Sequence, residues 1–327
     1  MLSPAITITC QNPSCAYFQT ESGKYIRRNG HNSAGTQQYH CVHCNSYFVE
    51  TKHTPLYRSH LSRSKVEEIG RSSVESVSIR VLSRIMRVTQ TTISRYYRLI
   101  GEHAYLLNER YVHDISPGIC EMDEIWSFVH KKQKKIKKID PSERGDVWTY
   151  IALKRYSGFL IAFVCGKRTQ KTCEILFDCL FDAMKLPFPD NPICISTDGN
   201  FQYLVQIQQM YCETCVVYGI VRKVKSANRL IKVTYEHVIG DAQKQKISTS
   251  VVEGYNNKIR QKLASFGRKT AAFSKQMKSF IDRLNIFQWV HNFMEKKKGG
   301  NRTPAMIENK ADSIWTWEEF LNHHISY

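Results

Sequence analysis

Two cysteine pairs near the amino terminus place the tightest limit on what this chain can become. Cys10 and Cys15 are separated by four residues, and Cys41 and Cys44 by two. Each pair can present two thiolates to one ion from a tight turn. Together they complete a tetrahedral four-sulfur zinc site. His40 and His43 are alternative ligands, less favoured beside four thiols. The segment between the pairs is short enough for a small hairpin unit whose core is too small to fold alone. Structural Zn²⁺ would then supply much of its folding free energy, with Tyr39, Tyr47 and Phe48 packed around the ion.

The other cysteines support reading these four as ligands. The chain has eleven, an odd number, and it opens on Met1-Leu2-Ser3-Pro4 without the charged and apolar regions of a signal peptide. A disulfide framework is therefore not expected. Cys212 and Cys215 also have two-residue spacing, but no second pair lies nearby. They read as ordinary buried thiols before they read as a metal site.

The balance of charge points to a polyanion. The formal net charge is +18, and the Lys and Arg residues are spread along all 327 positions. An excess of this size favours polyanion partners, and the helical segment and the resemblance described below make double-stranded DNA the expected one. No apolar run reaches the roughly eighteen residues needed to span a bilayer, so no membrane partner is expected. The expected location is cytoplasmic, associated with the nucleoid.

Four regions follow from the patterning. Residues 1–60 form the zinc ribbon, 61–112 a helical DNA-binding segment, 113–295 the large α/β unit and 296–327 a tail with a short helix. In the second region a helix over about 65–75, another from Ser78 to Met86, a turn at Arg87-Val88-Thr89 and a third helix from Gln90 to about Ile100 resemble a helix-turn-helix. Ile93, Tyr97 and Ile100 share the core face of the third helix. Thr91, Arg95 and Arg98 share another face, which could reach base edges and phosphates in a major groove.

In the third region, strands are expected over 120–130, 147–153, 159–165 and 192–197, with a turn at Tyr156-Ser157-Gly158. Helices are expected over 170–186 and 249–264. That order predicts a mixed sheet flanked by helices, which is also the order of an RNase H-like fold.

Three acids stand out against this scaffold. Asp123 lies mid-strand among Met122, Ile125, Trp126 and Phe128, where a carboxylate is costly unless paired or bound to metal. Asp198 ends the fourth strand just before Gly199. Glu253 lies on the polar stripe of a helix, with Asn256, Asn257 and Arg260, beside a core stripe of Val252, Tyr255, Ile259 and Leu263. Phosphodiester chemistry needs two divalent ions held close together by carboxylates, and oxygen ligands suit Mg²⁺ or Mn²⁺. Glu121 and Glu124 are alternative ligands on the first strand.

The combined motifs resemble the IS-one-type insertion-sequence transposases of the DDE class. Met122 to Val129 (MDEIWSFV) is similar to that family's first-aspartate motif, and Thr197-Asp198-Gly199 to its second. Val252-Glu253-Gly254-Tyr255-Asn256, with Arg268-Lys269-Thr270 and Phe273-Ser274-Lys275, is similar to its glutamate region. The run from Tyr39 to Arg58 matches its ribbon. The resemblance covers nearly the whole chain. It implies an RNase H-like catalytic domain with Asp123, Asp198 and Glu253 as catalytic and magnesium ligands. It also implies cleavage at terminal inverted repeats, joining of the 3′-OH ends to target DNA, and action as a homo-oligomer on that DNA. Three features depart from the pattern: the Lys131–Lys138 insert, Cys212 with Cys215, and Gly254, which costs about 1 kcal/mol of helix propensity.

Asn256, Arg260, Arg268 and Lys269 are the expected DNA contacts near the glutamate, and the lysine run reads equally as a DNA-facing or a solvated loop. Two other functions remain open at this point: a DNA-binding regulator without catalysis, and a repair or junction nuclease. The intact acids disfavour the first, and the appended DNA-binding units disfavour the second.

Overall fold

The computed structural model describes residues 8–18, 20, 23–33, 35–226, 229–240 and 247–325. The first unit is a three-stranded antiparallel meander, β1 (Ile26–His31), β2 (Gln37–Cys41) and β3 (Ser46–Val49). Alternation along the strands gives the sheet two faces. Tyr39, Cys41 and Phe48 turn inward, and Phe48 stacks on Tyr39 at 5.9 Å. Among the described residues, the buried cluster here is Cys10, Cys15, Cys41 and Phe48, with Ile8, Tyr17, Tyr25, Ile26 and Tyr39 partly buried against it, so the ribbon has a small apolar core of its own.

Three helices follow, α1 (Arg63–Ser73), α2 (Ile79–Met86) and α3 (Gln90–Tyr111). Each starts on a side-chain cap: Ser62, Ser78 and Thr89 accept backbone N–H bonds from Lys65, Val81 and Thr92. Arg87 ends α2 in the left-handed region, at φ 53°. Ile93, Tyr97 and Ile100 are buried, as their spacing predicts. The helix continues past Ile100 to Tyr111 because Ala104 and Leu107 carry the same apolar face onward, where it packs along α7 (Met277–Trp289).

The large unit is a six-stranded mixed sheet flanked by helices. Its strands are β4 (Ile119–Val129), β5 (Gly145–Lys154), β6 (Leu160–Gly166), β7 (Ile193–Thr197), β8 (Val216–Ser226) and β9 (Arg229–Ile239). The spatial order is β6-β5-β4-β7-β8-β9, with β4, β7 and β8 mutually parallel and the remaining pairs antiparallel. The parallel connections run through α4 (Gln170–Ala183) and α5 (Phe201–Met210), whose Phe177 and Tyr203 pack beside Tyr150 of the sheet. On the other face lies α6 (Ser250–Lys262), with Val252, Tyr255 and Ile259, and Leu263 just beyond it, buried as expected. The hairpin β8–β9 was not anticipated. Its alternation is broken by Arg222, Lys223, Arg229 and Lys232, so neither strand has a continuous apolar face.

One apolar core runs from Leu56 to Ile325. The C-terminal segment contributes α8 (Pro304–Ile307) and α9 (Trp317–Asn322). Trp317 sits on Gly70 of α1, where even a methyl group would lie 2.5 Å from the indole. Trp315 meets Trp289 at 5.0 Å, edge-on. The aromatic residues of the tail therefore pack on the body of the molecule.

The reading of Cys212 and Cys215 as buried thiols is corrected. They form a disulfide on a short 3₁₀ turn before β8, with Cys212 exposed, because the turn lies on the surface between α5 and the sheet. Among the described residues, no helix is long and apolar enough to cross a membrane.

Candidate functional site

The four ribbon thiols converge. One sulfur from each of Cys10, Cys15, Cys41 and Cys44 lies within 4.8 Å of the others. Cys10 Sγ and Cys44 Sγ are 3.6 Å apart, close to the roughly 3.8 Å edge of a tetrahedron with 2.3 Å zinc–sulfur bonds. Burial and the neighbouring thiols push Cys10 up to about 12. Burial also opposes ionisation of Cys44, but hydrogen bonds from the Ser46 hydroxyl and backbone N–H bring it down to about 6. The donor set fits zinc. His43 Nδ1 stands 3.6 Å from the Cys15 sulfur, beside the cluster, whereas His40 lies on the opposite face.

The acids meet where β4 and β7 run side by side. Asp123, Glu124 and Asp198 each offer an oxygen within 4.8 Å of the others. Sheet topology creates the meeting point, because Cys120 of β4 pairs in parallel with Ile195 of β7, which carries Asp198 to the same level as Asp123. Gly199 allows the sharp exit at φ +90°, and a Cβ there would lie 2.7 Å from Ile220. Asn200 then caps α5 and donates from Nδ2 to Glu124 Oε1.

Each strand acid has a distinct environment. Burial, the Asp198 charge and the charges of Glu124 and Glu253 push Asp123 up to about 7, although its Oδ1 accepts the Glu124 N–H at 2.8 Å. Burial and Asp198 also raise Glu124, against the opposing pull of Asn200 and Arg168. Glu121 is fully buried and committed elsewhere. Its Oε1 takes Arg155 Nε at 2.7 Å, and its Oε2 accepts the N–H groups of Val251 and Val252 at 2.8 and 2.9 Å. A carboxylate under the first turn of α6 complements the positive end of that helix. Glu121 thus anchors α6 to the sheet.

That anchor lays α6 across the site. Asn256 is 8 % exposed and donates to Asp123 Oδ2 at 2.8 Å. Its own Oδ1 is buried without a hydrogen-bond partner. Glu253 lies one turn earlier, near enough for its charge to raise Asp123. Its carboxylate accepts from Thr249 Oγ1 at 2.6 Å and is ion-paired with Lys223 of β8. Glu253 is therefore at the site but held by a lysine, and it stands outside the tight carboxylate group.

Two arginines lie near the acids, and the expected DNA contacts other than Asn256 and Arg260 are exposed. Arg168 Nη2 reaches Glu124 at 3.4 Å. Arg260 Nη1 donates to the Phe266 carbonyl at 3.0 Å, and Asp123 lies close enough to act on its charge. Arg268 and Lys269 are exposed. Thr91, Arg95 and Arg98 are exposed on α3. In the lysine run, Lys131 pairs with Asp140 at 2.6 Å, and Lys132 lies 5.8 Å over the Trp126 ring.

Sequence reasoning missed two of these features: it weighed Glu121 only as a rival ligand, and it gave Lys223 no role. Asn256 was expected on a stripe pointing at both the aspartates and the DNA, and it reaches Asp123. A signal existed for Glu121: it lies two residues before Asp123 and so on the same strand face. Nothing in the sequence marked the Lys223 contact.

No family model matches the chain, and no curated protein is similar to it. Among solved structures, the cryo-EM structure of a piggyBac transposase synaptic complex with hairpin DNA is similar over 80% of this chain and 70% of that one. The identity is 10% and the TM-score 0.34. A likeness this loose carries no weight, and the functional reading rests on the geometry of the chain itself.

Proposed function

We propose that this protein is a DNA transposase of the DDE class. The observation that carries the reading is the convergence of Asp123 and Asp198 at adjoining parallel strands beneath a helix bearing Glu253. An RNase H-like core is proposed on the same ground: three antiparallel strands, then two parallel ones reached through helices, in the order β6-β5-β4-β7-β8. The proposed organisation is a zinc ribbon over 1–60, a helix-turn-helix over 61–112, the catalytic unit over 113–295 and a tail over 296–327.

The oxygen donors fit Mg²⁺ or Mn²⁺. Burial, with the like charges crowded around it, holds Asp123 up to about 7, a cost that a cation would offset, and the unpartnered Asn256 Oδ1 adds a neutral oxygen beside it. Asp123, Asp198 and Glu253 would hold the ions. Bound there, two ions supply activation of the attacking oxygen and charge neutralisation on the leaving oxygen. The protein supplies position. Asn256 orients Asp123, Glu121 fixes the approach of α6, and Arg268 and Lys269 present positive charge to the phosphate backbone. Thr91, Arg95 and Arg98 are the proposed contacts to the terminal repeats, with a homo-oligomer joining 3′-OH ends to target DNA.

A second reading replaces Glu253 by Glu124 as the third ligand. It is favoured by Glu124 lying within the tight carboxylate group while Glu253 is paired with Lys223. Cleavage of linear DNA carrying the inverted repeats that flank the coding sequence separates the two. Asp123→Asn and Asp198→Asn should each abolish cleavage in Mg²⁺ while end binding persists. Under the first reading Glu253→Gln also abolishes it and Glu124→Gln does not; the second reading reverses the two. Cleavage that survives Asp123→Asn removes this acid site as the catalytic centre, whereas end binding with no cleavage by the unaltered protein leaves a DNA-binding regulator.

A further inference from the structure

The outer face of the ribbon carries an arrangement that zinc binding does not use. Arg27 of β1 pairs in register with His40 of β2, and His40 with Tyr47 of β3. The three side chains form a row across the sheet, opposite the face that holds Cys41 and Phe48. The His40 and Tyr47 rings stack at 4.3 Å with planes 13° apart, and the Asn45 carbonyl oxygen lies 2.8 Å from His40 Nε2. Tyr47 is nonetheless 62% exposed. Its ring is thus held against His40 on one side and open to solvent on the other, a platform on which a planar group can stack.

The face is also concave. A groove of about 400 Å³ opens at its Tyr47 edge, lined by Gln38, Tyr47, Phe48 and Val49 from the sheet and by Lys52, Tyr57 and Arg58 from the segment after it, with Arg27 and His40 outside it. Arg58 lies 5.2 Å over the Tyr57 ring. Residues 8–60 carry Lys24, Arg27, Arg28, Lys52 and Arg58 against two acids, Glu21 and Glu50, and Glu50 is turned to Arg63 at 3.4 Å.

Exposed ring faces beside fixed positive charge suit bases whose own faces are free, with phosphates at the basic edge. A duplex hides its base faces by stacking. We propose that this face and the groove beside it bind single-stranded DNA, with a base stacked on Tyr47, Arg58 against a phosphate in the groove and Arg27 against one on the far side of His40. The inference concerns the ribbon alone and stands or falls independently of the acid site.

The test uses the full-length, zinc-loaded protein and fluorescence anisotropy with a labelled twelve-nucleotide oligo(dT), a duplex of equal length and an oligo(rU). Tyr47→Ala should weaken oligo(dT) binding about ten- to hundredfold, the effect of losing one base–aromatic stack. Tyr47→Phe should retain it, and duplex binding should not change. Arg27→Ala with Arg58→Ala should flatten the salt dependence of oligo(dT) binding. Unchanged zinc content in each variant confirms that the ribbon is intact. Equal losses on duplex and single strand, or no loss in Tyr47→Ala, overturn the proposal. Tighter binding of oligo(rU) than oligo(dT) overturns the assignment to DNA. Binding of neither strand, with the groove instead protected by a second copy of the chain, also overturns it.

Discussion

The ribbon and the six-stranded sheet both carry clustered reactive groups, yet they are held together by opposite means. In the ribbon, the groups that would bind metal form most of the core: among the described residues, three of the four members of its buried apolar cluster are cysteines. In the sheet, Asp123 and Glu124 are embedded in a large apolar core that does not need them, and they cost stability there. Metal should therefore decide whether the ribbon folds. In the sheet, it should only offset a penalty that the fold already bears.

Removing the ribbon's metal should have the largest effect. Chelation, or Cys41→Ser, should unfold residues 8–60, because structural zinc contributes about 10–16 kcal/mol in comparable units. Hydrogen exchange should show lost protection in β1–β3 and unchanged protection in β4 and β7. Collapse of both regions together would show that the ribbon is part of the main core.

A cavity in the main core should give the reverse pattern. Trp289 is fully buried and stacks on Phe293 at 4.0 Å. Trp289→Ala should cost about 3–5 kcal/mol and lower the main thermal transition, while zinc content stays the same. Loss of zinc in this variant would erase the proposed independence of the two regions.

The smallest effect is a gain. The Asp123 carboxyl sits at about 7 in the folded protein against 3.8 ordinarily. Between those values the folded state keeps a proton that the unfolded chain has released. Stability from this group is thus full below 3.8, falls as pH rises and stays low above about 7. Without divalent ions at pH 8, Asp123→Asn should stabilise the main transition by roughly 1–3 kcal/mol, and the gain should vanish near pH 3.5. Denaturant unfolding at the two pH values reads it directly. A loss of stability at pH 8 would mean that Asp123 supports the fold through Asn256 more than its charge burdens it.

Much of this was legible before any coordinates. The cysteine spacing located a convergent thiol cluster, and the β4, β5 and β7 runs were found because their buried positions are continuous. The α6 core stripe was found because period 3.6 survives in Val252, Tyr255 and Ile259. The β8–β9 hairpin was not, since charged residues at exposed positions break the alternation on which strand recognition depends.

The sequence by itself determined which side chains had to be buried and which chemistry they could support, because periodicity and ligand type are local properties of the chain. It could bring Asp123 and Asp198 into view as candidates, each at a strand position. Only the tertiary structure decided their company. Glu121 became the anchor of α6, Asn256 turned inward to Asp123, and Lys223 took Glu253 as its partner. Those contacts join residues 30 to 133 positions apart, and they depend on strand order and on the angle at which a helix crosses a sheet, neither of which any local pattern encodes.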